Sequence, residues 1–251
     1  MTKLPPDSET NSECTPVTAL GELAPDNSIL DALDRPTLEA MHNAGEDALA
    51  CASTLDAGDS NTVAELLRGH DAIYEWTHYP KADVYDHKNH SQFYCHVHPG
   101  ALAGSEHGHF RLFLRASGMP DDLACEAPPD SLCHIVAVSM NWQGEPIRLF
   151  TTNRQVTDDR WFEAVAVKAM PEYVVADSKG AYPIASRWLG ALTQLFAPDV
   201  RRLLDERDRA IEDWAHRHPD SDVHEDRALE VPSHMAIDIS GRVTALRERL
   251  G

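Results

Sequence analysis

The sequence predicts an α+β fold, in which an antiparallel sheet of about four strands has helices from both ends of the chain packed on one face. Helical periodicity occupies the chain up to about residue 70 and again after residue 180, whereas two-residue alternation occupies the middle. With 251 residues and an apolar fraction of 42%, the chain is long enough for one substantial core. We therefore expect a single domain over residues 35–251, with the second sheet face left for a ligand.

The N-terminal helices are predicted from caps and apolar spacing. Pro36 fits a first helical turn, and the apolar residues that follow it recur at helical spacing. A second helix in "NTVAELLRG" is expected to start at the capping residue Asn61 and to end at Gly69. Residues 1–34 are rich in Pro, Ser, Asp, Asn and Glu, so we expect them to form a disordered tail.

The C-terminal part of the chain returns to the helical period. Apolar residues from Trp188 to Phe196 recur at helical spacing, and Pro198 is expected to open a further helix that Pro219 ends. The last segment, "SGRVTALRERL", predicts an amphipathic terminal helix. Residues 216–234 are acidic and contain histidines, and we expect them to link these two helices.

Four strands are predicted between the helical regions. The segments "FYCHVH" and "EHGHFRLFLR" alternate polar and apolar residues, so each should have one buried apolar face. The segments "LCHIVAVSMN" and "PIRLFTTNR" are apolar and contain β-branched residues, and the "WQGE" between them is typical of a tight hairpin. The four segments together predict an antiparallel meander.

Composition argues against several classes of function. The formal net charge of −19 would repel nucleic-acid phosphates and anionic lipid surfaces, and no basic patch offsets it. No apolar run approaches the roughly 18 residues that span a bilayer, and no secretory signal pattern opens the sequence. The five cysteines form no C-x-x-C, which favours reduced thiols. We expect a cytoplasmic protein that binds a small molecule rather than nucleic acid or a membrane.

Two H-x-H pairs flank a loop in "FYCHVHPGALAGSEHGHF", and they form the candidate site. We expect the first two strands to pair in the register in which opposed residue numbers sum to 205. Three opposed polar pairs then share one sheet face: His96 and His109, His98 and His107, and Tyr94 and Arg111. Directly opposed β-carbons lie roughly 4.5 to 5.5 Å apart, so two or three imidazoles can converge on one ion.

These residues predict a transition-metal site. Imidazole suits iron, zinc, copper and nickel, and the absence of a cysteine cluster argues against an iron–sulfur or structural zinc centre. We expect iron first, then zinc or copper. The four paired histidines rank first as ligands, with His134 and Glu106 as further candidates. In a regular strand Glu106 points to the other face, so it would need a bulge or a strand-end twist to join the histidines.

Alternatives stay open for each part of this site. The paired histidines could instead line an organic-anion pocket or a solvated face. Arg111 and Tyr94 are expected to contact the substrate, and their alternative role is that of cross-strand structural partners.

Two resemblances accompany these motifs. H-x-H followed by Glu is similar to the first motif of the cupins, but here seven residues separate His98 from Glu106 and a second H-x-H pair follows. A cupin barrel also needs more strands than the four predicted. The run from "WTHYPKADVYD" through "CHVHP" and "EHGHFRLFL" to "RLFTTNRQVTDDRW", residues 76–161, resembles an uncharacterised bacterial family classified as a domain of unknown function. That resemblance implies a shared fold and no particular chemistry.

The sequence thus predicts a metal-dependent enzyme, and an oxidoreductase if the metal is iron or copper. An open coordination position would take substrate, water or oxygen, and Arg111 would hold an anionic group nearby. The alternative is a non-catalytic protein that binds or senses a metal, haem or an organic anion. The absence of C-x-x-C-H argues against covalently attached haem.

Overall fold

The computed structural model describes residues 21–75, 77–98, 106–124, 127–174 and 180–251. The strands are β1 Glu22–Leu23, β2 Tyr79–Tyr85, β3 Ser91–Val97, β4 Glu106–Arg115, β5 Leu132–Asn141, β6 Pro146–Phe150 and β7 His234–Ala236. The α-helices are α1 Arg35–Asp56, α2 Thr62–Leu67, α3 Asp121–Ala124, α4 Arg154–Thr157, α5 Ala164–Val167, α6 Pro183–Leu195, α7 Ala197–Arg217 and α8 Ile239–Leu250. The predicted α+β class is confirmed.

The strands form one mixed sheet in the order β1-β7-β6-β5-β4-β3-β2. Strands β3 to β6 are the antiparallel meander that the sequence predicts. The predicted number of strands is wrong, because β2 extends one edge and β7 and β1 extend the other, with β1 parallel to β7. β1 and β7 are two and three residues long, too short to display a two-residue period, and β2 is half-exposed with no clean alternation.

The register between β3 and β4 is the predicted one. His96 lies opposite His109, and Tyr94 lies opposite Arg111. Because neighbouring residues of a strand point to opposite faces, this register gathers these four side chains on one face, which we call the histidine face. The apolar residues between them point to the other side of the sheet.

That apolar side packs against the helices and forms the main core. Phe110 of β4 is fully buried, and its ring centroid lies 6.1 Å from that of Trp188 in α6. Cys95 of β3 is also fully buried, as expected for a residue that points into the core. Helix α1 contacts both α6 and α8, so helices from the two ends of the chain form one layer. This confirms the predicted packing of helices on that sheet face.

The helix boundaries largely follow the predicted signals. Pro36 lies in the first turn of α1, and Pro198 lies in the first turn of α7. The side chain of Asn61 caps α2 by accepting a hydrogen bond from the Ala64 N–H at 2.9 Å. These caps depend on nearest-neighbour chemistry, which is why the sequence alone locates them.

The predicted tail contains structured residues near its end. Asn27–Ala32 form a 3-10 helix that Asp26 caps, and Leu30 within it is fully buried in the main core. Residues 21–34 are therefore structured although the prediction places them in the disordered tail. The rest of that tail, residues 1–20, lies outside the described residues.

The histidine face is covered rather than open, which differs from the expectation of a face left for a ligand. Residues 151–161, the covering segment, contact it through polar groups. The Arg111 guanidinium donates to the Val156 carbonyl at 3.3 Å, and the Asp159 carboxylate accepts from the His134 backbone N–H at 2.9 Å. His96 on this face is 8% exposed, and its ring contacts those of His78, Tyr94 and His109. Polar backbone and side-chain groups can cover a polar face because they supply hydrogen-bond partners to some of its groups.

Among the residues that the structure describes, no helix has both the length and the apolar character needed to cross a membrane.

Candidate metal centre

Three side chains at one end of the histidine face bring their ligand atoms together. His109 Nδ1 lies 3.0 Å from Glu106 Oε1 and 3.4 Å from His98 Nε2. Glu106 Oε1 and His98 Nε2 are 3.9 Å apart. These three residues, the trio, are the one group of three or more possible metal ligands whose atoms lie within 4.8 Å of one another in the described parts of the chain.

A β-bulge explains how Glu106 joins the histidines. Gly108 of β4 pairs with Met140 of β5, and Glu106 pairs with Asn141. Two residues of β4 therefore correspond to one residue of β5 at this point. The additional residue on β4 is His107. One extra residue reverses the alternation beyond it, so Glu106 points to the same side as His109. Glu106 therefore joins the histidines through a bulge, which a regular strand would not allow.

Gly108 marks the bulge in the sequence. A Cβ built at this position would lie 2.3 Å from the His96 carbonyl oxygen on β3, so only glycine allows the two backbones to approach so closely. An isolated glycine within a strand pattern is a known bulge signal. Gly108 is thus the sequence feature that could have placed Glu106 among the leading ligand candidates.

The carboxylate of Glu106 is held from both sides. Its Oε2 accepts a hydrogen bond from Arg148 at 2.8 Å, and its Oε1 faces His109. Burial by itself would raise the pKa of Glu106, but the hydrogen bond from His109 and the positive charge of Arg148 outweigh it and set the pKa at about 2. Glu106 is therefore ionised at neutral pH, the form in which a carboxylate binds a metal.

His109 and His96 are neutral at neutral pH. Burial lowers the pKa of His109 to about 4 despite the opposing effect of Glu106, and burial lowers that of His96 to about 3. Nε2 of His109 and both ring nitrogens of His96 are buried without a hydrogen-bond partner. Neutral imidazole is the form that binds metals, so these residues need no deprotonation at neutral pH.

The other predicted ligands lie outside the trio. The His107 ring packs against Trp142, with a centroid distance of 4.0 Å. His134 Nδ1 lies 3.2 Å from the Thr152 hydroxyl. His96 is adjacent to the trio, with its ring centroid 5.6 Å from that of His109. Metal binding by these three histidines stays a prediction.

The two residues predicted to contact the substrate are both buried on the histidine face. Arg111 is 5% exposed, and so is Tyr94 opposite it. Tyr94 stacks against His78, whose ring lies 3.7 Å away, and His78 in turn lies 4.9 Å from the ring of His96. The sequence analysis singled out no role for His78, because it precedes β2, a strand that the alternation did not predict.

Ser139 and Arg148 also lie beside the trio, and the sequence-based prediction did not include them. Ser139 lies opposite His109 on one side and opposite Arg148 on the other. Arg148 Nε donates to the Ser139 hydroxyl at 3.2 Å. Extending the alternation count across the predicted "WQGE" hairpin would have found both residues, since they share the face of His109.

Two clefts elsewhere in the protein are not lined by the trio. One of about 650 Å³ lies between α1 and α6, and one of about 670 Å³ lies beside the β5–β6 hairpin and the start of α8. The trio itself is enclosed, with side chains that are 8% to 21% exposed. Its interior therefore suits an ion more than a bulky group such as haem.

Comparison with known proteins identifies a family but no function. No curated protein matches the chain, and no solved structure matches it. A family model matches residues 42–237, which make up more than half of the chain and include the trio and the run 76–161. The chain therefore belongs to the family described as a domain of unknown function, DUF6969.

Proposed function

We propose that this protein is a metal-dependent enzyme whose centre is a first-row transition metal held by His98, Glu106 and His109. The observation that carries the proposal is the convergence of two imidazole nitrogens and one carboxylate oxygen within 4.8 Å of one another. A purely structural hydrogen bond between His109 and Glu106 would not require His98 Nε2 to point at the same place, 3.4 Å from His109 Nδ1.

The donor set fits such a metal. Two histidines and one carboxylate suit iron, zinc and copper, and three protein ligands leave coordination positions open for a substrate. Arg148 supports this assignment because a carboxylate ligand is commonly fixed by a hydrogen bond to its second oxygen, here at 2.8 Å. Iron ranks first, since this set occurs in non-haem iron oxygenases, followed by zinc and copper.

The reaction class that the donor set favours is oxidation of a small anionic substrate. When bound, iron or copper would supply redox and Lewis-acid chemistry at the open positions. The protein's contribution is to keep Glu106 charged, to keep His109 neutral and to hold both in an enclosed site. A non-catalytic metal-binding or sensor protein has the same ligands, and it is distinguished by the absence of substrate turnover.

Elemental analysis of the untagged protein tests the metal centre. We expect about one equivalent of iron, zinc or copper, or uptake of one equivalent of Fe(II) under anaerobic conditions by the metal-free protein. His98→Ala, His109→Ala and Glu106→Gln should each abolish stoichiometric binding. If the wild-type protein neither carries nor takes up a metal, the proposal is wrong.

His107→Ala is the matched control. His107 belongs to the same H-x-H pair as His109, but its ring packs on Trp142 and it lies outside the trio. We expect this variant to retain the metal. Equal loss in the His107 and His109 variants would point to nonspecific binding by a histidine-rich segment. A visible spectrum completes the test, because a Soret band would indicate haem instead of a protein-ligated metal ion.

A further inference from the structure

We propose that Arg111, together with Tyr94 and His96, forms a binding subsite for a carboxylate group next to the trio. This inference rests on the proposed function for its role in catalysis, but its geometry is independent of the metal. The substrate would then be a small carboxylate or a longer molecule that carries a carboxylate group.

The first observation is a buried guanidinium without a counter-ion. Three arginines are buried among the described residues: Arg111, Arg207 and Arg242. Arg207 lies 2.7 Å from the Asp208 carboxylate, and Arg242 lies 2.8 Å from that of Asp199. Arg111 has no carboxylate within 4.0 Å among the residues that the structure describes. Its Nε is buried without a hydrogen-bond partner, its Nη1 donates to the Val156 carbonyl, and its remaining side-chain hydrogen bond is to the neutral Tyr94 phenol.

Such an arrangement is costly unless an anion completes it. A buried charge is normally paired, because an unpaired one loses its hydration and gains no compensating interaction. Two carboxylates, Glu230 and Asp159, act on Arg111 electrostatically, but neither forms an ion pair with it. Asp159 instead accepts hydrogen bonds from the His134 N–H at 2.9 Å and from the Thr157 hydroxyl at 2.6 Å. An external carboxylate would supply the missing partner, and the guanidinium fork matches its two oxygens.

The residues around Arg111 supply further donors. Tyr94 lies directly opposite on β3, and its phenol stays protonated because burial raises its pKa. His96 follows on the same face with both ring nitrogens buried and unpartnered, and an imidazole has at least one N–H to donate. A guanidinium, a phenol and an imidazole N–H on one patch favour an acceptor-only group, which a carboxylate is.

The subsite adjoins the proposed metal position. The rings of Tyr94 and His96 are 4.9 Å apart, and those of His96 and His109 are 5.6 Å apart. A carboxylate held by Arg111 would thus place the rest of a small substrate toward the trio. Ala137, the β5 residue opposite Arg111, contributes only a methyl group to this patch.

Formate and acetate are the probes that test the subsite. We expect each to stabilise the metal-free wild-type protein against thermal unfolding and to bind in calorimetry, relative to sodium chloride at equal ionic strength. The neutral analogue formamide should have no effect. Arg111→Met should weaken formate binding by at least about tenfold, because the charge-assisted pair is lost. Arg111→Lys should retain part of the affinity, and Tyr94→Phe should weaken binding less than Arg111→Met does.

Arg115→Met is the matched control, since Arg115 lies on the same strand but donates to Gln92 at 2.9 Å and contacts the Tyr85 ring. It should leave formate binding unchanged. The inference is overturned if the metal-free protein responds equally to formate and chloride, or if Arg111→Met binds formate as the wild type does. Binding that appears only with metal and is insensitive to Arg111 overturns it as well.

Metal content separates the two proposals. Loss of formate binding with unchanged metal content in Arg111→Met supports the subsite and leaves the metal centre intact. Formate binding that depends on Arg111 in a protein that takes up no metal would refute the proposed function while upholding the subsite.

Discussion

His109 and Phe110 are adjacent in the chain but belong to opposite sides of the sheet. Phe110 is fully buried among helices, and His109 is 6% exposed on the histidine face. Strand alternation alone produces this separation, which is why the sequence could predict it. Both residues are buried, so their exposure does not show which belongs to the core and which to the site. The side chains that each one contacts do show it.

The two residues should therefore respond differently to substitution. Phe110→Ala should lower the free energy of unfolding by about 3 to 5 kcal/mol, because it leaves a cavity in the core. His109→Ala should cost less, because it removes a ring whose Nε2 has no hydrogen-bond partner, but it should abolish metal binding. Urea unfolding of the metal-free variants, with metal analysis of each, measures both effects. The reverse order of stability would contradict the assigned faces.

His134 makes the stability of the protein depend on pH. Burial lowers its pKa well below 6.5, and the positive charges of Arg111 and Arg207 act in the same direction. Below about pH 6.5 the unfolded chain therefore binds a proton at His134 that the folded chain does not. The free energy of unfolding should fall as the pH decreases from about 6.5, by up to about 1.4 kcal/mol per pH unit from this residue.

Urea unfolding of the metal-free protein between about pH 7 and pH 5 checks this dependence. His134→Gln cannot titrate, so its stability should fall less steeply than that of the wild type over this range. His216→Gln, at an exposed position near the end of α7, is the control and should follow the wild type. Parallel curves for the wild type and His134→Gln would show that His134 titrates alike in both states.

At the scale of elements, the bulge in β4 brings Glu106 to the same side of the sheet as His98 and His109. Gly108→Ala would place a Cβ 2.3 Å from the His96 carbonyl oxygen, so β3 and β4 must separate. We expect a loss of stability of about 1 to 3 kcal/mol and weaker metal binding, because His98 and Glu106 lie on the two strands that move apart. Thermal unfolding and a competition titration with a metal chelator measure the two quantities.

Gly58→Ala provides the comparison for this variant. A Cβ at Gly58 would lie 3.4 Å from the Leu55 carbonyl oxygen, which is an ordinary contact. Its metal affinity should equal that of the wild type. If Gly108→Ala also binds metal as the wild type does, the bulge is not what positions Glu106.

The elements also show how far local sequence patterns reach. The β3–β4 register follows from alternation, so opposed pairs such as His96 with His109 could be predicted. The bulge could be suspected from Gly108 but not located, since a glycine in a strand has several causes. Strands β1 and β7 could not be predicted from local patterns. They are too short to show a periodic signal, and their pairing joins residue 22 to residue 234.

At the scale of the whole molecule, the covering segment is fixed by residues distant in sequence. Asn153 Nδ2 donates to the Val223 carbonyl at 2.8 Å, and the Asn153 N–H donates to the Glu230 carbonyl at 3.1 Å. Residues 216–234, expected to act as a linker, thus also hold the covering segment. The burial of the histidine face could not be predicted, because it depends on hydrogen bonds between loops about seventy residues apart.

The folding unit extends beyond the residues that define the family. The family match ends at residue 237, yet α8 follows it and packs into the core with Leu246 fully buried. Arg242 of α8 lies 2.8 Å from Asp199 of α7, and both are buried. Burial raises the pKa of Asp199 and Arg242 opposes that shift, so the pair compensates two charges removed from water.

Breaking this pair should therefore destabilise the whole protein. Arg242→Ala should lower the free energy of unfolding by about 3 to 5 kcal/mol, because it leaves the Asp199 carboxylate buried with only the more distant Arg202, at 3.7 Å, as a partner. Arg249→Ala, on the same helix, removes an ion pair with the exposed Asp31 and should cost no more than about 1 kcal/mol. Urea unfolding of both variants measures the difference. Equal and small losses would mean that α8 is peripheral to the fold, and that the family match alone marks the unit that folds.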